Sequence, residues 1–190
     1  MSDFREIIKH SQLFWALDDA QIDRLVEICQ EELCEAGSKV IGEGESSGLI
    51  FIVAAGSVAL QMEIRIGSRT RKQAVIDVTT PGQVFGRSAL TEHPVADMSA
   101  ICIGKTRLLT LDGVKVREML NADPDMYRKV MQEMLELVTD RLTHAKQTLA
   151  HVLSVTSHDL RAPLATVQSC LDVLTGGFVG DINEKQAELI

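Results

Sequence analysis

The chain has 190 residues, 45% of them hydrophobic, and a formal net charge of −8. That length accommodates one or two domains with a substantial core. An acidic balance argues against a broad nucleic-acid surface, and no apolar run approaches the eighteen residues of a membrane span. The opening M-S-D-F-R-E lacks the apolar core of a secretion signal, so the expected location is the cytoplasm. Cys29, Cys34, Cys102 and Cys170 are scattered, without the paired short spacings of a zinc site, and read as reduced thiols. No metal is expected.

Taken in order, the chain opens helically. Phe4, Ile7 and Ile8, then Leu13, Phe14 and Leu17, then Ile22, Leu25, Val26 and Cys29 recur at helical spacing. Asp18 or Asp19 suits the cap of the last helix, where a short carboxylate accepts from first-turn amides. From about Leu33 the text turns into short β-rich runs punctuated by glycine: K-V-I, G-L-I-F-I-V, G-S-V-A-L-Q-M-E-I, Q-A-V-I-D-V, S-A-I-C-I and R-L-L-T-L. Turn signals every eight to twelve residues predict an antiparallel sandwich or barrel, with Ile66-Gly67-Ser68 as a hairpin tip.

Within that region, I-G-E-G-E-S-S-G-L-I-F-I-V-A-A-G-S-V resembles the signature of cyclic-nucleotide-binding domains of the catabolite-activator type. Gly44, Phe51 and Gly56 stand where that family has glycine, aromatic and glycine. The resemblance spans about residues 10–140. It implies an α+β fold: a jelly-roll-like antiparallel β-barrel with flanking short helices, followed by a long helix. It also implies a phosphate cassette in F-G-R-S-A-L-T-E-H-P-V-A-D-M-S-A, residues 85–100, whose amides and helix N-terminus hold an anion. Gly86, Arg87, Ser88, Ala89 and Ser99 are the implied ligand-binding positions.

Two positions depart from the pattern. Arg87 replaces the glutamate that meets the ribose hydroxyl in this family, and Met98 replaces the arginine that neutralises the cyclic phosphate. Beside the cyclic nucleotide that the resemblance implies, three uses of the pocket follow: a different anionic ligand neutralised by Arg87, with Ser88 and Ser99 as hydrogen-bond donors; a scaffold for dimerisation or protein contact; or a sensor of another kind, through the cysteines or a haem on His93.

Asn121-Ala122-Asp123-Pro124 is a helix start, with proline at the first helical position. No glycine or further proline follows until Pro163, and Gly176-Gly177 stops the run. A helix over 124–175 would be a rod of roughly 78 Å. Met131, Leu135, Val138, Leu142, Ala145, Leu149, Val152 and Thr156 alternate steps of four and three, the seam of a coiled coil. A parallel homodimer is the simplest way to bury it. Around His158 the steps become successive fours, which rotates the buried face.

The same helix carries S-H-D-L-R-A-P-L, residues 157–164, which resembles the phosphoacceptor box of sensor histidine kinases. The resemblance covers roughly 150–190. It implies that His158 is the phosphoacceptor and Asp159 the acid that orients its imidazole. Ala162 stands where related kinases carry a residue supporting phosphatase activity.

These readings predict a cyclic-nucleotide-binding-like sensor domain over 1–123, a coiled-coil signalling helix over 124–154, and part of a helical-bundle dimerisation domain over 155–190. Function is then expected to be that of the sensory half of a histidine kinase. Its partners are a second copy, a response regulator and an ATP-binding domain, and ATP belongs to that catalytic domain, not to this chain. The alternative is a ligand-binding dimeric adaptor or a catabolite-activator-type transcription regulator without phosphotransfer.

Overall fold

The structure is a computed structural model describing residues 2–66 and 70–175, except for the side chains of some positions in the strands and the last helix, 148–162 among them. It forms two compact units, Met1–Glu136 and Leu137–Ile190.

The first unit opens with α1 (Ser2–Lys9) and α2 (Asp19–Ile28). Asp18 caps α2: its carboxylate accepts the Gln21 N–H, while the Gln21 side chain accepts the Asp18 N–H, a reciprocal capping box. Leu13, Phe14 and Leu17 are buried at helical spacing but sit in successive turns, because the Gln12 N–H is drawn to Gly82 O at 2.8 Å.

Eight strands follow: β1 (Cys29–Cys34), β2 (Lys39–Ile41), β3 (Leu49–Ala55), β4 (Val58–Ile66), β5 (Thr70–Thr79), β6 (Val84–Phe85), β7 (Ser99–Cys102) and β8 (Thr106–Asp112). They pair antiparallel into two four-stranded sheets, ordered β1-β8-β3-β6 and β2-β7-β4-β5. The expected closed barrel is therefore corrected to a two-sheet jelly roll. β1 and β6 end one sheet and β2 and β5 the other, and no ladder joins them among the described residues. The expected hairpin tip falls partly outside those residues, since 67–69 lie beyond them.

The sheets share one apolar core. Phe51 and Val53 of β3, Val58 and Leu60 of β4, Phe85, Ala100, Cys102 and Leu108 belong to a single buried cluster. Ile50, Ile52, Leu109 and Leu111 alternate with these and are equally buried, on the sheet face that α1 and α2 cover. Burial on both faces explains why L-I-F-I-V reads as an unbroken apolar run.

After β8, Asp112 accepts the Val114 and Lys115 amides and starts α3 (Gly113–Ala122). Asp123 then accepts the Met126 N–H at 3.0 Å and starts α4 (Pro124–Thr175), so the expected start at Pro124 is observed, and α4 is helical as far as Thr175, the last described residue. The first turns of α4 bury Met126, Val130 and Glu133 within the first unit. Leu135, Val138 and Leu142, from the expected seam, are 66%, 51% and 55% exposed. α4 remains helical through His158 and Asp159, whose side chains lie outside the described residues.

Candidate functional site

The cassette begins where β6 ends. Phe85 stacks on Phe51 at 4.9 Å between centroids and 6° between planes, which fixes the strand end. Gly86 follows in the left-handed region at φ 73°. A Cβ there would lie 2.6 Å from Leu49 O, so only glycine fits this turn. A short 3-10 turn, Arg87–Leu90, comes next.

The return limb is zipped onto the β2–β3 loop. Gly44 donates to Ala96 O at 2.8 Å, Ala96 to Glu45 O at 2.9 Å, and Ser47 to Pro94 O at 2.9 Å. Ser99 Oγ accepts the Glu43 N–H at 2.9 Å, and the Glu43 carboxylate accepts the Glu63 N–H at 2.8 Å. The Glu45 carboxyl is held below its ordinary range by Lys39 and by the Gly42 amide.

The structure thus brings Gly86, Arg87, Ser88 and Ala89 together on one turn, with Ser99 on the limb that closes the loop. Ala89 is buried, whereas Gly86, Arg87, Ser88 and Ser99 are half-buried. Arg87 Nη1 donates to Val84 O at 3.2 Å, which places the guanidinium at the neck of the cassette. The Met98 side chain is only 9% exposed and belongs to the apolar core cluster with Phe51, Leu60 and Phe85. The position carrying the family's arginine is therefore built here as core, with no cation. His93 is exposed on the return limb. Among the described residues no group of three His, Cys, Asp or Glu side chains is arranged to hold a metal.

Sequence reasoning missed the link from the cassette to the helices. Arg117 of α3 donates to the Thr91 carbonyl at the end of the cassette. Gly113 donates to Gly48 O at 2.7 Å, and a Cβ on it would meet Ala89 O at 2.6 Å. α3 thus starts pressed against the cassette turn. No periodicity announces a contact made through one arginine and one glycine.

Residues 31–123 match the model of the family described as the cyclic nucleotide-binding domain. The chain carries a cyclic nucleotide-binding domain. Among similar proteins, the cyclic AMP receptor protein of Thermus thermophilus is 28% identical over 104 residues, 55% of this chain and 46% of the relative. The cAMP-dependent protein kinase regulatory subunit of Yarrowia lipolytica is 24% identical over 177 residues, 92% of this chain and 42% of the relative. The chain thus spans less than half the length of either. The crystal structure of Thermus thermophilus catabolite activator protein superposes with a TM-score of 0.59 at 25% identity, covering 75% of this chain and 63% of that one.

These relatives correct the expectation of a histidine kinase. Two are named for cyclic AMP and the third as a catabolite activator, and none is named as a kinase that phosphorylates histidine. The physical reason is that a histidine, an acid and a proline on one amphipathic stretch are compatible with an ordinary packing helix. No helix among the described residues is long and apolar enough to cross a membrane.

Proposed function

We propose that this chain is a ligand-binding regulatory module of the catabolite-activator type, acting without phosphotransfer, as a homodimer joined through α4. The observation that carries it is the direct joint between cassette and output helices: Arg117 bound to the Thr91 carbonyl, and Gly113 packed on Ala89. A ligand that orders Arg87–Leu90 acts on α3 through these two contacts, and α3 runs into α4 with only Asp123 between them. Such a ligand shifts the helix equilibrium by as much as it prefers one arrangement over the other.

The ligand is a cyclic nucleotide held in an altered manner. The cassette amides after Gly86 take the anion, Ser99 adds a hydroxyl, and Arg87 supplies the positive charge that Met98 does not. Arg87 also donates through Nη1 to Val84 O, which holds its side chain beside the cassette turn.

Calorimetric titration of the chain with cyclic AMP and cyclic GMP tests this. Binding is expected, and Arg87→Gln should weaken it about tenfold or more, the worth of one charged hydrogen bond. A folded protein that takes up neither nucleotide, or an Arg87→Gln variant with undiminished affinity, would overturn the reading.

A further inference from the structure

An open cavity of about 570 Å³ is lined by three elements of the first unit. The cassette's end contributes Leu90 and Glu92, α3 contributes Arg117, Leu120 and Asn121, and α4 contributes Tyr127 and Met131. Its volume lies within the ordinary range for small-molecule sites, and its lining mixes apolar side chains with polar ones, as such sites do.

The polar groups are available. The side chains of Glu92, Asn121 and Tyr127 make no hydrogen bond or ion pair among the described residues. Arg117 donates through Nη1 to the Thr91 carbonyl. Glu92 and Arg117 line the same cavity with opposite charges, yet no ion pair joins them. An acid and a base that line one cavity without pairing match a ligand that carries both charges itself.

We infer that this cavity is a second ligand site, distinct from the cassette pocket, for a small zwitterion with an apolar body: the chemistry of a free apolar α-amino acid. Glu92 receives the ammonium group, Arg117 and Asn121 receive the carboxylate, and Leu90, Leu120 and Met131 cover the side chain. Because the walls belong to the cassette, α3 and α4, an occupant bridges the same joint that cassette ligands act on. It therefore modulates that joint.

Titration calorimetry with L-leucine and L-phenylalanine on the chain tests the inference. Binding of at least one is expected. N-acetyl-L-leucine, which lacks the ammonium, and L-leucinamide, which lacks the carboxylate, should each bind about tenfold more weakly or worse. Glu92→Gln should lose a similar factor toward leucine, and Asn121→Ala, at an exposed position on α3 outside the cassette, should weaken leucine binding while leaving cyclic AMP binding unchanged. Arg87→Gln should leave leucine binding unchanged, so failure here is separable from failure of the cyclic-nucleotide reading. No heat from either amino acid at millimolar concentration, or equal affinity in Glu92→Gln, would overturn it.

Discussion

The indole N–H of Trp15 donates to the Glu133 carboxylate at 2.7 Å, tying the turn before α2 to α4. Glu133 is 8% exposed, so this bond satisfies an acid that the fold has largely withdrawn from water. Trp15→Phe removes the donor and leaves the acceptor behind. The expected loss is about 1–3 kcal/mol, since an orphaned buried group costs more than the bond itself contributes. Trp15 is the only tryptophan, so urea unfolding should be followed by circular dichroism. Adding Glu133→Leu should recover part of the loss; a further loss equal to that of an unrelated core change would refute the pairing.

Met98→Arg restores the family's cation at a position this chain has made apolar. Among Phe51, Leu60 and Phe85 a guanidinium has no anion to meet. The variant should lose on the order of 3 kcal/mol, the scale of an uncompensated buried charge. Cyclic AMP should return part of that loss, visible as a larger rise in melting temperature than wild type shows. A variant as stable as wild type without ligand would mean that Met98 can leave the core freely.

Burial raises the Cys34 thiol from 9.0 to about 12, with Cys102 and Glu32 adding to it, and burial with Glu31 raises Cys29 to about 11. A raised thiol pKa means stability that is complete below 9.0 and lost as pH climbs toward 11–12. The stability gap between wild type and Cys34→Ala should accordingly be constant near neutrality and shrink in alkali. Iodoacetamide at mildly alkaline pH should label Cys34 only as fast as the protein unfolds. Rapid labelling of the native protein would contradict the burial.

The sequence made the elements legible where one residue type does one job. L-I-F-I-V declares a strand buried on both faces, and Asp123-Pro124 declares the start of α4. The cassette turn is equally readable, because Gly86 has no substitute under Leu49 O. β1 was hidden because C-Q-E-E-L-C exposes four of its six positions and its Cys29 continues the α2 period by one more step. α3 went unannounced because it follows β8 directly, with Asp112 ending the strand and capping the helix at once. Barrel closure is a property of strand edges, and edges leave no mark on periodicity. The site residues were legible as a set, but Met98's place in the core and the Arg117–Thr91 bond arise only from tertiary packing.

Asp123 is held down at about 2, first by the Met126 amide and then by Arg24. Its depressed value means stability present above the ordinary 3.8 and lost as pH falls toward 2. Asp123→Asn keeps an oxygen for the Met126 amide and removes the charge that Arg24 meets. The variant should melt lower than wild type near neutrality, and the two curves should converge in acid. Curves that stay parallel down to the acid limit would show that the ion pair adds nothing.

The exposed row Leu135, Val138 and Leu142 supplies the test of assembly. A charge on a helix surface that faces water changes stability little, whereas the same charge on a seam between two copies is buried against its own kind. Leu142→Asp therefore should leave the melting of the first unit close to wild type and convert a dimer into a monomer. Light scattering coupled to size exclusion reads the mass directly, against 20.8 kDa for one chain. A lone exposed row on a monomer would give the monomer mass for both proteins. In that case α4 meets some other partner, and the proposal that two copies join through it is wrong. If both run as dimers, the copies join elsewhere, and the first unit becomes the place to look for their contact.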